Sequence, residues 1–142
     1  MSMIVRNQLV ATVDSITLGG DGVHVGIRIA RRRKMNAILS PEAFKNLDLH
    51  NGCSVRVLFP SNRVSLATGT MKRLSIRNQL VGSVAEIRIH GALALVRVDV
   101  EGRRLVATVT KDAVSALGLE PESFVVVLID TMDISLDAVE GS

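Results

Sequence analysis

The chain has 142 residues, a formal net charge of +3 and 47% apolar residues, yet only 2% aromatics and a single cysteine. Such a length makes one domain or two very small ones, and the lone Cys53 excludes an internal disulfide, which fits a cytoplasmic setting. No apolar run approaches the ~20 residues that cross a bilayer, and Met1-Ser2-Met3-Ile4-Val5-Arg6 lacks the layout of a signal peptide, so no membrane partner is expected.

Met3 to Leu18 is rich in Val, Ile, Leu and Thr and reads as one long, bent strand ending at Gly19-Gly20. Val23, Val25, Ile27 and Ile29 then alternate with His24, Gly26, Arg28 and Ala30, the period of a half-buried strand. Arg31-Arg32-Arg33-Lys34 follows, and Met35 to Leu39 reads as the returning strand of a hairpin. The basic run reads first as a solvated hairpin loop and second as a site for nucleic acid or anions. It holds much of an uneven charge: residues 1–71 carry nine Lys and Arg against four Asp and Glu, residues 72–142 eight against ten. Ser40-Pro41-Glu42 starts a short helix, with a good N-cap, a proline suited to the first turn and an acid at the positive dipole end. Asn51-Gly52 is a turn. Val55, Val57 and Phe59 form a strand broken by Pro60-Ser61-Asn62, and Val64 to Ala67 is a short last strand before the linker Thr68-Gly69-Thr70.

The chain then begins again. Arg77-Asn78-Gln79-Leu80-Val81 repeats Arg6-Asn7-Gln8-Leu9-Val10, 71 residues on. Later blocks repeat at 70 residues: Ala107 to Ala113 answers Ala37 to Ala43, and Val125 to Leu128 answers Val55 to Leu58. Arg73 to Ile89 reads as the long strand, Ala94 to Val100 and Leu105 to Val109 as a hairpin turning at Glu101-Gly102. Thr110 caps a helix through Leu117, Phe124 to Ile129 and Met132 to Leu136 are strands, and Ala138 to Ser142 is a loose tail. The boundaries are residues 1–69 and 70–142. Each copy is small enough to be marginal alone, so the two are expected to bury surface against each other or against further chains. Five short antiparallel strands avoid bare edges by closing up. The expected fold is all-β: two tandem OB-like five-stranded barrels, each with one short helix.

Catalysis has little support. His24, His50 and His90 stand at no triad or metal spacing, Cys53 has no nearby histidine, and Gly19-Gly20-Asp21-Gly22 is a turn rather than a phosphate loop. An enzyme is not expected. Single-stranded nucleic acid needs aromatic platforms, and Phe44, Phe59 and Phe124 all sit where burial is expected, so nucleic acid is disfavoured as a partner. Anions fit better. The helix starts at Ser40 and Thr110 offer free backbone N–H groups. Arg6-Asn7 and Arg77-Asn78 offer a guanidinium beside an amide, which suits a tetrahedral oxyanion. The same pair also reads as a structural corner retained by the duplication, and chemistry alone leaves these two readings even.

Ser75-Ile76-Arg77-Asn78-Gln79-Leu80-Val81-Gly82-Ser83-Val84 resembles the Ser-Ala-Arg-Asn-x-Leu-x-Gly-x-Val opening of the Mop-type molybdate-binding (TOBE) module. Gly91-Ala92-Leu93 resembles that family's Gly-Ala-Val turn, and Thr110-Lys111-Asp112-Ala113-Val114 its Thr-Lys-Glu-Ser-Val helix start. The resemblance covers residues 73–136, and residues 3–67 through the repeat. It implies OB-like barrels that bind molybdate or tungstate in the cytoplasm, with tandem members assembling as homotrimers and sites at module or subunit interfaces. Carried over, it implies oxyanion-binding roles for Ser75, Arg77, Asn78, Thr110 and Lys111, with counterparts at Arg6, Asn7 and Ser40. There are departures. Ile4 replaces the opening serine of the first copy. The family's strand-ending lysine is Pro60 in one copy and Asp130 in the other, and its helix-start serine is Ala43 and Ala113. Backbone N–H groups, with Ser61 or Thr131, would have to compensate.

The reading is therefore non-catalytic binding of molybdate or tungstate for storage or homeostasis, by a homotrimer with no resident metal site. The alternative is a regulatory or protein-interaction module of the same fold that has lost tight oxyanion binding.

Overall fold

The computed structural model describes residues 2–139. The first copy contains β1 (Arg6–Leu18), β2 (Val23–Ala30), β3 (Arg33–Leu39), α1 (Pro41–Leu47), β4 (Ser54–Pro60) and β5 (Val64–Ala67). The second contains β6 (Asn78–His90), β7 (Leu93–Val100), β8 (Arg103–Thr110), α2 (Lys111–Leu117), β9 (Phe124–Ile129) and β10 (Ser135–Ala138). A single 3-10 turn, Ser61–Arg63 or Thr131–Asp133, precedes each copy's last strand. Among the described residues no helix is long and apolar enough to cross a membrane.

Local chemistry explains most boundaries. The Ser40 and Thr110 side chains accept the Ala43 and Ala113 N–H groups, capping α1 and α2. Both helices stop at a left-handed residue, Asp48 at φ 51° and Gly118 at φ 64°. The β7–β8 hairpin turns through Glu101 and Gly102, both at positive φ (47° and 85°), a two-residue turn whose twist matches the strands.

Some boundaries differ from expectation. β1 starts at Arg6 rather than Met3, and β6 at Asn78 rather than Arg73, so residues 68–77 form one longer connection. The last strand runs to Ala138, which pairs with Val55 instead of opening a tail, and residues 140–142 lie outside the described residues. Phe124, expected inside, is 79% exposed, while Phe59 is fully buried.

The larger difference is topological. The antiparallel sheets run β10-β4-β1-β2-β3 and β5-β9-β6-β7-β8. Each sheet takes four strands from one copy and its last from the other. Val64 to Ala67 pairs with Ile129 to Val126, and Ser135 to Ala138 pairs with Leu58 to Val55. β5 lies against β8, and the turn before β10 packs against β3. The interiors merge into one cluster holding Leu9, Val25, Val57 and Phe59 together with Leu80, Val96, Val127 and Ile129.

Two arginines at matching positions tie the copies across their edges. Arg103 donates to the carbonyls of Ile29 (2.8 Å) and Val10 (3.0 Å). Arg33 donates to Val81 O (3.3 Å) and pairs with Glu101 at 3.1 Å. The basic run is therefore a hairpin whose members are partly engaged: besides Arg33, Lys34 binds Asp14 at 2.8 Å, a carboxylate it shares with Arg28 of β2 at 3.2 Å.

Candidate functional site

The Arg-Asn corners come first, because the repeat preserves them. Asn7 and Asn78 are buried at 5% and 1% exposure. Asn7 Nδ2 donates to Val106 O (2.9 Å), and its Oδ1 accepts the Val106 N–H (2.7 Å). Asn78 treats Asn36 the same way, at 3.0 and 2.8 Å. Each amide imitates one rung of a β-ladder against an edge strand of the other copy. The pair thus serves the structural corner that the sequence left open, holding β8 to β1 and β3 to β6.

The arginines beside them differ. Arg6 is exposed and lines a cleft of about 160 Å³ with Leu58, Phe59, Pro60 and Ser135. Ser135 reaches it because β10 is exchanged. Among the described residues the Arg6 side chain has no hydrogen-bond or ion-pair partner. Arg77 instead folds onto its own connection and donates to the carbonyls of Lys72 (2.9 Å) and Leu74 (3.2 Å). Gln79 locks the same segment, exchanging bonds of 2.8 Å with Met71 N–H and Met71 O. Ser75 lies exposed in this loop, apart from both helix starts in the chain order and without a strand of its own.

The strand ends show how the missing lysines are replaced. Asp130 Oδ1 accepts the Met132 N–H (2.9 Å) and caps the 3-10 turn. At the matching turn Ser61 is fully buried, not a solvent-facing donor. Its hydroxyl accepts the Val5 N–H (2.9 Å) and bonds Thr108 Oγ1 (2.7 Å), and Thr108 donates onward to Met3 O. This buried relay pins residues 3–5 to β8. Thr108 escaped sequence reading because its counterpart in the first copy is Ile38, so the repeat gave no cue.

At the helix starts, Thr110 and Lys111 line an open cleft of about 620 Å³ with Ala92, Asp112 and Ser115. The Thr110 hydroxyl accepts the Ala113 N–H at 3.0 Å and keeps its proton to donate. The Lys111 N–H is taken by Ala92 O (2.8 Å), but its ammonium is exposed and unpaired among the described residues. Ser40 occupies the corresponding place on α1, its hydroxyl accepting Ala43 N–H at 3.1 Å. The arrangement offers positive charge and hydroxyl donors at the surface. Among the described residues no group of three or more His, Cys, Asp or Glu is placed to hold a metal ion. His24, His50 and His90 are all exposed and far apart in the chain order, and Cys53 is buried, its sulfur accepting the His50 N–H. The Asp14 carboxyl is held below its ordinary value by hydrogen bonds from Lys34 and then Arg28.

A family model described as the TOBE domain matches the chain twice, over residues 5–66 and 74–136. The molybdenum transport protein ModE of Azotobacter vinelandii is 32% identical over 124 residues, covering 85% of this chain and 45% of ModE. The molybdenum-pterin-binding protein MopB of Rhodobacter capsulatus is 32% identical over 119 residues, covering 82% of this chain and 44% of MopB. The chain thus spans somewhat less than half the length of these curated relatives. Among solved structures, the cytoplasmic molybdate-binding protein ModG with molybdate bound matches with a TM-score of 0.88 at 29% identity. That match covers 94% of this chain and 96% of ModG.

Proposed function

The chain belongs to the TOBE-domain family, and from that premise we propose that it binds molybdate as an intact oxyanion, without chemical change. The observation that carries this is the near end-to-end likeness to molybdate-bound ModG, which extends over both copies. The chemistry supports it. A tetrahedral dianion is satisfied by charge-assisted hydrogen bonds from guanidinium, ammonium, hydroxyl and backbone N–H groups. The Arg6–Ser135 cleft and the Thr110–Lys111 cleft carry such groups. Both lie at the surface, where a neighbouring subunit would complete them, and the proposal includes a homotrimer as the binding form.

The reading extends to tungstate, which shares molybdate's charge and shape, and to storage or homeostasis in the cytoplasm. Isothermal titration and native mass spectrometry of the purified chain, with molybdate and with sulfate as control, test it. The expected result is a trimer that gains several molybdate masses and no sulfate. A protein that takes up neither anion leaves the fold standing and favours the regulatory or interaction module instead, the reading that Pro60 and Asp130 in place of lysine would support.

A further inference from the structure

The two copies carry the same Arg-Asn corner, yet their surroundings differ in three ways. At Arg6 the guanidinium is unpartnered among the described residues, faces a cleft, and has Pro60 and the exchanged Ser135 beside it. At Arg77 the guanidinium is already bonded to two carbonyls of the segment that precedes it. Where the first copy has Pro60, the second has Asp130, a carboxylate fixed at the strand end by its bond to Met132 N–H. The same preceding segment also covers the sheet. Leu74 and Ile76 pack on Ala67, Val126 and Leu128, whereas the matching Arg56 and Leu58 of β4 carry no such cover and are half-exposed.

From this we infer that the duplicated corner is an oxyanion site in the first copy only. Arg6 and the Ser135 hydroxyl hold the anion, while Arg77 has its own connection as an internal occupant. The inference deepens the molybdate reading and rests on it for the identity of the anion. Electrostatics gives the same sign. A dianion entering at Arg6 meets a cation with no partner among the described residues and a neutral proline, whereas at the other corner it meets a guanidinium turned onto its own connection, with both Nη1 bonds spent on the carbonyls of Lys72 and Leu74, and a carboxylate. Ser135 belongs to the other copy's sequence, so the site exists only because the last strands are exchanged.

The test compares Arg6→Ala, Ser135→Ala, Arg77→Ala and Lys111→Ala in the full chain. Binding of molybdate, tungstate and sulfate is measured by titration calorimetry, and stoichiometry by native mass spectrometry. Losing a charge-assisted bond weakens a site by about tenfold to a hundredfold. The expected result is that Arg6→Ala weakens or removes one class of sites by that factor, Ser135→Ala weakens the same class less, and Arg77→Ala leaves it intact. Equal losses from Arg6→Ala and Arg77→Ala overturn the inference. So does a loss confined to Lys111→Ala, although molybdate binding itself would then stand. If the wild type takes up tungstate or sulfate in an Arg6-dependent way but refuses molybdate, the molybdate reading falls and the cleft assignment holds. If it takes up none of the three, both fall. Thermal melts of each variant separate lost binding from lost folding, and Arg6→Ala is expected to melt like the wild type because the side chain has no partner among the described residues.

Discussion

Asn78→Ala is the sharpest perturbation of the frame. Asn78 is 1% exposed, and its amide gives β3 a donor and an acceptor at 3.0 and 2.8 Å. Truncation removes both bonds and leaves the N–H and C=O of Asn36 without them. An unsatisfied buried polar group costs about 1–3 kcal/mol. The Asn36 side chain itself lies on an exposed position, so water reaches part of the gap. The expected cost is about 2 kcal/mol, which lowers the melting temperature by roughly 4–8 °C in a chain of this size. Asn7→Ala should match it, since Asn7 clamps Val106 at 2.9 and 2.7 Å.

Asn78→Asp separates the clamp from mere packing, because it keeps the shape and the acceptor and, once ionised, loses the donor. One carboxylate oxygen would then face the Asn36 carbonyl in a site nearly shut off from water. Burial and that carbonyl both raise the carboxyl pKa above its unfolded value of about 3.9. With a raised folded pKa, the extra penalty is absent below about pH 4 and grows as pH rises toward the folded value. Differential scanning calorimetry at pH 4 and pH 7 reads it. Asn78→Asp should lie above Asn78→Ala at pH 4, where the protonated carboxyl can still donate to Asn36 O and accept its N–H, and fall well below it at pH 7. A shift under about 1 °C for Asn78→Ala, or pH-independent equality of the two variants, would refute the argument that these amides hold the copies together.

Three further substitutions probe the frame. Gly82→Ala sets a methyl directly against the Asp99 carbonyl and 3.0 Å from side-chain atoms of Val98 and Val100, so it should cost about 1–3 kcal/mol in urea unfolding; Gly26→Ala meets chiefly the rotatable Ser15 hydroxyl and should cost clearly less. Asp14→Asn removes the partner of Lys34 and Arg28. Since those hydrogen bonds hold the Asp14 carboxyl below 3.8, their contribution is present above that pH and is lost as pH falls through the lower folded value. The melting-temperature gap between wild type and Asp14→Asn should therefore be small, close as the solution is acidified below pH 3.8, and shrink at high salt.

The strands, hairpins and helix caps were readable because each is a local signal. Alternation marks β2 and β7, and Ser40 and Thr110 mark α1 and α2 by a bond three residues long. The strand exchange carries no such signal. In a duplicated chain the two sheets offer almost the same edge, so Val64 to Ala67 reads equally well beside β4 or β9. What decides is the direction in which the Ser61–Arg63 turn sends the chain, and a sequence does not state directions. The asparagines were ambiguous for a different reason: an amide suits a peptide bond as well as an oxyanion, and only the proximity of Val106 and Asn36 selects the first.

The covered and uncovered sheets, in contrast, are written in the strands themselves. β4 alternates Val55, Val57 and Phe59 inward with Ser54, Arg56 and Leu58 outward, the pattern of a strand with one buried face. β9 is apolar throughout, Phe-Val-Val-Val-Leu-Ile, the pattern of a strand buried on both faces. Its inner residues Val125, Val127 and Ile129 join the shared core, and Val126 and Leu128 lie beneath Leu74 and Ile76. Phe124 falls past the edge of that cover, which is why an apolar run predicted burial and the structure leaves the ring exposed. The replacement of Arg56 by Val126 at the matching position is thus the signature of the folded-back connection. That connection is also what engages Arg77. The loss of repeat symmetry at the strands and the loss of a free guanidinium at the second corner have one cause, the packing of residues 71–77 onto the second sheet.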